Sequence, residues 1–174
     1  CVGVCTLRYT TYLQAQDLVA GVERDEVGAP ITKPFSYFNQ DLFASLPVTG
    51  SNGETYDEEL LKVSPDVIIA NTDAASAQAL QDRTGIPVVV VPLNEGMFDG
   101  SVFQILSILG EVYHREDRAE ELAAYLKGIQ ADLAERTAGA ADEDKPTVYV
   151  SGVSFKGSHG FEGTEAGYAP LAAI

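Results

Sequence analysis

Three features of the sequence predict an α/β fold, built as a parallel open sheet flanked by helices. Helix-like and strand-like stretches alternate through Tyr56-Asp-Glu-Glu-Leu-Leu-Lys-Val-Ser-Pro-Asp-Val-Ile-Ile-Ala70 and on to Gly85-Ile-Pro-Val-Val-Val-Val-Pro92. The two strand candidates are nearly unbroken Val and Ile, as in a sheet covered on both faces rather than a half-wet antiparallel one. A long charged helix pattern then separates this alternation from a fresh strand pattern near residue 147. In open α/β sheets the ligand lies beyond the carboxyl ends of the strands. The loops that follow strands are therefore where function is to be sought.

The elements follow in order. Cys1 to Cys5 reads as a strand, Leu7 to Gln16 as a helix and Leu18 to Val22 as a second strand. The segment from Glu23 to Thr49 carries Pro30, Pro34 and Pro47 and reads as irregular, with one short helix near Asn39 to Ala44. Asp57 to Val63 is a helix with Asp57 and Glu58 in its first turn, where the helix dipole favours anions. Asp66 to Ala70 is a strand, Ala74 to Thr84 a helix closed by Gly85, and Pro87 to Val91 a strand. Val102, Ile105, Leu106 and Leu109 give Gly100 to Tyr113 helical spacing.

The longest helix runs from Arg115 to about Thr137, with Leu122, Leu126, Ile129 and Leu133 as its apolar stripe. The polar run Ala141-Asp-Glu-Asp-Lys-Pro146 ends it and reads as a linker. Thr147 to Ser151 restarts a strand, Gly152 to Gly167 is a glycine-rich loop, and Tyr168 to Ile174 resembles a helix beginning. This order predicts a lobe over residues 1–114, a connecting helix over 115–138 and the start of a second lobe over 139–174. The chain is expected to be part of a longer protein.

Composition narrows the function. The chain has 174 residues, is 45% hydrophobic and carries no apolar run near the roughly 18 residues of a membrane span. Its net charge of −15 excludes nucleic acid as a partner, because phosphate binding needs a basic face. Cys1 and Cys5 are the only cysteines; on one strand they would stand about 13 Å apart, too far for a disulfide. They read as buried small hydrophobes, with metal binding, redox chemistry and lipidation of Cys1 as lesser alternatives. No nucleophile elbow, phosphate loop or paired-carboxylate motif is present. An enzyme reading would have to rest on Asp66, Asp73 or Glu95 as acid–base groups.

The order Cys5-Thr-Leu-Arg-Tyr9, Leu-Val-Ala-Gly-Val-Glu23, Glu58-Glu-Leu-Leu-Lys-Val-Ser-Pro-Asp-Val-Ile-Ile-Ala70, Thr84-Gly-Ile-Pro-Val-Val-Val90 and Leu106-Ser-Ile-Leu-Gly-Glu-Val-Tyr-His-Arg-Glu-Asp-Arg-Ala-Glu-Glu121 resembles the substrate-binding proteins of iron-siderophore and vitamin B12 ABC importers. Val150-Ser-Gly-Val-Ser-Phe-Lys-Gly-Ser-His-Gly160 is similar to the start of the second lobe in iron-type members. The resemblance implies two α/β lobes joined by one long helix, with the ligand in the cleft between them. It also implies no covalent chemistry, no resident cofactor, a metal chelate such as a ferric siderophore as cargo, and an ABC permease as membrane partner. Haem, cobalamin or an oxyanion are alternative cargoes. An extracytoplasmic, periplasmic or cell-surface location follows from the same resemblance. Glu58 falls where such proteins carry a glutamate that docks on permease arginines, with Glu59 as its neighbour. The resemblance also implies that most of the second lobe lies outside the given sequence.

The candidate ligand residues sit on the loops after strands. Arg8 offers a permanently charged fork for anionic oxygens, unless it pairs with Asp17 or Glu23 at the surface. Tyr9 would stack on a ring or else pack half-buried. Lys33, Phe35 and Tyr37 lie in a long irregular loop and would give an apolar wall with a cationic rim, or simply pin that loop down. Asn71 and Thr72 would hydrogen-bond ligand, although Thr72 or Asp73 reads first as a helix N-cap. Asn94, Glu95 and Met97 follow the next strand, with Glu95 the candidate ligand group. Lys156 and His159 on the glycine-rich loop would complete an anion site opposite Arg8; His159 with His114 makes no metal-ligand spacing.

Overall fold

A computed structural model of the chain describes residues 1–93, 100–153, 160–165 and 168–172. They divide into two compact units whose boundary falls between Ala123 and Ala124.

The larger unit begins with Val2, which forms a single parallel bridge to Ala70. The expected strand from Cys1 to Cys5 is cut to that bridge. Gly3 at φ 82° and Cys5 at φ 72° turn the chain out of extended geometry. Helix α1 then runs over Thr6–Tyr12. It ends short of Gln16, because Gln14 is left-handed at φ 56° and a tight 3-10 turn follows at Gln16–Leu18. Strand β1 is only Val22–Glu23, later and shorter than the Leu18 to Val22 expected. The segment taken as irregular holds a 3-10 turn at Arg24–Glu26 and helices α2 (Pro34–Tyr37) and α3 (Gln40–Ser45).

Strands β2 (Val48–Ser51) and β3 (Glu54–Thr55) form an antiparallel hairpin absent from the sequence-based expectation. Its two-residue loop, Asn52 at φ 52° and Gly53 at φ 82°, has the positive angles of a type I′ turn. Strand β2 also pairs in parallel with β1. Helix α4 covers Asp57–Val63, with Asp57, Glu58 and Glu59 in the first turn and Lys62 in the last, matching the macrodipole at both ends. Strand β4 (Ile68–Ala70), helix α5 (Ala74–Thr84) and strand β5 (Val88–Val90) complete the strand–helix–strand alternation, with β4 and β5 parallel and in register. Asp73 caps α5 by accepting from the Ser76 amide at 2.9 Å, and Gly85 closes it at φ 70°. The parallel pairs thus lie in two short sheets, β1-β2-β3 and β4-β5, rather than in one.

Two apolar clusters hold these layers. Val2, Leu60, Ile68, Ala70, Leu80 and Ile86 pack around the β4-β5 pair, and Leu7, Val22 and Phe43 pack beneath α1. Each such buried aliphatic or aromatic side chain contributes about 1.5–3 kcal/mol. Helix α6 (Gly100–Tyr113) buries Val102, Ile105, Leu106, Leu109 and Tyr113, the spacing of one helical face. The Tyr113 hydroxyl meets the Thr10 hydroxyl at 2.8 Å and ties α6 to α1; burial pushes the Tyr113 pKa up. Helix α7 (Glu116–Thr137) crosses α6 closely where Gly110 leaves room for Ala119. Arg118 donates to the Tyr12 carbonyl at 3.2 Å.

The smaller unit holds the rest of α7, a 3-10 turn at Asp142–Asp144 and the short helix α8 (Ala169–Ala172). The strand expected over Thr147 to Ser151 is not formed. Val148 and Tyr149 stand exposed with no ladder partner among the described residues. Backbone bonds begin only at Gly152 and Val153, which donate to Phe161 and Gly163. Cys1 and Cys5 are both free thiols, and both are half-buried.

A Cβ at Gly50 would sit 2.5 Å from the Glu54 carbonyl, inside the hairpin's own backbone. Gly50→Ala should therefore cost about 1–3 kcal/mol, read as a lower denaturant midpoint with an unchanged slope. The Asp57 carboxyl is held below its usual range by the hydrogen bond from Arg83 at 2.7 Å and then by Thr55. That lowered value makes the α4–α5 clasp fully present above about pH 4 and lost as pH falls through the folded value. Arg83→Gln should flatten the acid limb of the stability–pH curve slightly, because the pair is largely solvated.

Candidate functional site

The turns that follow Val2, β1, β2 and β4 converge on one side of the larger unit, around an open depression of about 510 Å3. This is the carboxyl edge of the parallel strands. Its wall is made by Gly3 and Cys5 of the first turn, Arg8 and Tyr12 of α1, Glu23 and Asp25 after β1, and Lys33 to Phe35 at α2. Asn52 and Gly53 of the hairpin turn and Asn71 after β4 close it. A second cleft of about 360 Å3 lies at the amino ends of the strands, where the single carboxylate in its lining is Asp66.

Glu23 organises the depression. Its side chain is buried, and its two oxygens accept from the Gly53 amide at 2.6 Å and the Gly3 amide at 3.2 Å. One carboxylate thereby joins the turns of both sheets. The approach is close enough that a Cβ on Gly3 would lie 3.0 Å from the Asn71 carbonyl. Asn71 itself is fixed by its amide donating to the Val2 carbonyl at 3.0 Å and its side chain to the Val91 carbonyl at 3.0 Å.

The remaining acids are likewise engaged locally. Asp25 accepts from the Asn52 amide at 3.0 Å and the Ser51 hydroxyl at 3.1 Å; the Asn52 bond chiefly keeps its pKa below the usual range. Glu26 accepts from the buried Ser36 hydroxyl and faces Lys33 Nζ at 3.6 Å. Lys33 Nζ also donates to the Asp25 carbonyl at 3.2 Å.

Arg8 differs from Lys33. Neither Asp17 nor Glu23 pairs with it, and among the described residues no carboxylate does. Its guanidinium carbon lies over the Phe35 ring, 5.4 Å from the centroid. A half-buried cation that faces a depression, with no counter-charge among the described residues, is suited to an anionic ligand.

Of the sequence-predicted ligand residues, the structure brings Arg8, Lys33, Phe35 and Asn71 together. Tyr9 is not with them. It follows Arg8 by one helical step, which turns it about 100° into the core, edge-on to Tyr12 at 5.9 Å. Tyr37, two residues past Phe35 and on the other side of α2, packs edge-on against Phe38, outside the lining. Thr72 is exposed beside the α5 cap, a role taken by Asp73, whose pKa the Ser76 hydroxyl bond lowers. Glu58 stands exposed on the first turn of α4. Glu95, Lys156 and His159 lie outside the described residues. Asp66 and Asp73 flank opposite ends of β4, so they form no acid–base pair.

Sequence reasoning missed Glu23, Asp25 and the Asn52-Gly53 turn. The turn was signalled, since Asn-Gly is the strongest short hairpin dipeptide. Glu23 carried no comparable mark, because its partners are backbone amides. Glu23→Gln would keep one acceptor and set an N–H against a donor amide. It should cost about 1–3 kcal/mol, with faster hydrogen exchange at Gly53 as the local readout.

Comparison with known proteins shows the family and the fold. A family model described as periplasmic binding protein matches residues 9–160. An uncharacterized ABC transporter substrate-binding lipoprotein of Bacillus subtilis (strain 168), YvrC, is 21% identical over 95 residues, 53% of this chain and 30% of that protein. Among solved structures, the TroA-like periplasmic binding protein FepB from Veillonella parvula aligns with a TM-score of 0.62 at 21% identity, over 84% of this chain and 44% of that one. The petrobactin-binding protein YclQ from Bacillus subtilis gives 0.60 at 20% identity, over 79% and 45%. The periplasmic heme-binding protein HutB of Vibrio cholerae gives 0.57 at 17%, over 81% and 49%. These likenesses show a shared fold, and the chain spans about half or less of the length of each relative.

Proposed function

Because the chain belongs to the periplasmic binding protein family, we propose that it is the solute-binding component of an ABC importer, taking an iron chelate at the carboxyl edge of its strands. Family and lipoprotein relative place it outside the cytoplasm. Relatives of this kind bind and deliver solutes and are not enzymes.

The observation that carries the proposal is the depression itself. It brings together the ends of four strand segments, an aromatic wall at Phe35 and Tyr12, and Arg8 with no carboxylate partner among the described residues. Ferric siderophores are commonly anionic and bulky, which suits an open, cation-bearing surface that a second lobe would cover. On this reading residues 1–114 are the first lobe, 115–138 the connecting helix and 139–174 the start of the second lobe. Glu58, exposed at the start of α4, would meet an arginine of the membrane permease.

Haem is the second reading, supported by the similarity to a heme-binding protein. The two separate in one experiment. The chain has no tryptophan and 8 tyrosines, so quenching of tyrosine emission reports ligand directly. Titration with ferric catecholate and hydroxamate siderophores should give saturable quenching, and haemin a weaker response; the reverse order would replace the chelate with haem. No saturation by any of them would end the receptor reading. Arg8→Ala should weaken an anionic chelate by about 1–3 kcal/mol, the size of a charge-assisted hydrogen bond.

A further inference from the structure

We propose that Phe35 is a positioning residue. Its ring holds the Arg8 guanidinium so that the fork recognises a planar, two-oxygen anionic edge such as a carboxylate or catecholate. This rests on the receptor reading above and adds to it the class of group the larger unit takes.

The two cations of the depression are held in different ways. Lys33 is anchored by a carbonyl and a carboxylate, so its charge is largely answered within the protein. Arg8 has a ring beneath it instead, at 5.4 Å. An aromatic face attracts a cation without occupying its N–H donors. The guanidinium carries its five donors in one plane, and among the described residues none of them is taken by a carboxylate. The contact thus restrains Arg8 and, among the described residues, leaves its donors open, the condition for tight bidentate recognition.

Phe35 is itself fixed. It packs against the cluster of Leu7, Val22 and Phe43. The Asn39 side chain donates to its carbonyl at 2.7 Å, and Lys33 and Ser36 on either side are bonded to Glu26. The support under Arg8 is therefore a rigid one. A point anion such as chloride gains only the charge of this arrangement, whereas a planar pair of oxygens gains charge and geometry together.

The test uses Phe35→Leu, which keeps an apolar anchor in the Leu7 cluster, and Phe35→Tyr, which keeps the ring. In nitrogen-resolved NMR the Arg8 Nε–H proton should show an upfield ring-current displacement in the native protein and in Phe35→Tyr. The displacement should disappear in Phe35→Leu. Identical Arg8 resonances in all three proteins would overturn the proposal. Benzoate should shift that resonance saturably, with affinity roughly three- to tenfold lower in Phe35→Leu and restored in Phe35→Tyr. An equal response to chloride and benzoate would overturn it as well. Both readouts stand whether or not an iron chelate binds, so failure of the chelate reading is told apart from failure of this one.

Discussion

The larger unit depends on one buried carboxylate. Glu23 ends β1, and its oxygens take the Gly3 amide from the β4-β5 side and the Gly53 amide from the β2-β3 hairpin. The two sheets share no strand, so this carboxylate is what brings their carboxyl ends to a common edge. Burying a charged group is costly unless hydrogen bonds replace its water. Two backbone amides do that here, and both belong to glycines, each for its own reason. For Gly3 the obstacle is the Asn71 carbonyl; for Gly53 it is the positive φ of the hairpin loop.

How far the sequence showed this fold depends on where its signals are local. Helix α4, helix α5 and helix α6 stand where capping and periodicity put them, because Asp57, Asp73, Gly85 and the Val102–Leu109 stripe act within a few residues. Strands β4 and β5 are parallel as their Val and Ile runs required. The first ninth of the chain was harder. Val2 looked like the start of a strand, yet Gly3 and Cys5 turn left-handed to meet Asn71 and Glu23, a demand set by residues far along the chain. Short strands also weaken period-two reasoning, and β1 and β3 have two residues each.

The site divides the same way. Placing candidates on loops after strands gathered Arg8, Lys33, Phe35 and Asn71, since topology alone sends those loops to one edge. It could not choose between neighbours. Arg8 and Tyr9 are adjacent in sequence, but one faces the depression and the other the core. Helix phase decides that, and phase is set by packing of Leu7 against Val22 and Phe43. Phe35 and Tyr37 part for the same reason.

If the proposed anionic ligand is right, local charge explains how so acidic a chain receives it. With 26 acidic and 11 basic residues the long-range field repels anions. Salt screens that field over about 8 Å under physiological conditions, so the groups within a few ångströms decide what binds. In the depression the nearby acids are Glu23, Asp25 and Glu26, and each has its oxygens turned toward amides, hydroxyls or Lys33. Those donors take up negative charge that would otherwise fall on Arg8. The acidic residues of this edge thus build the frame and answer Lys33, while the guanidinium beside Phe35 has no carboxylate partner among the described residues. Selectivity at such a place comes from near contacts set by backbone turns, and the unfavourable global charge adds a penalty that only a well-fitted anion overcomes.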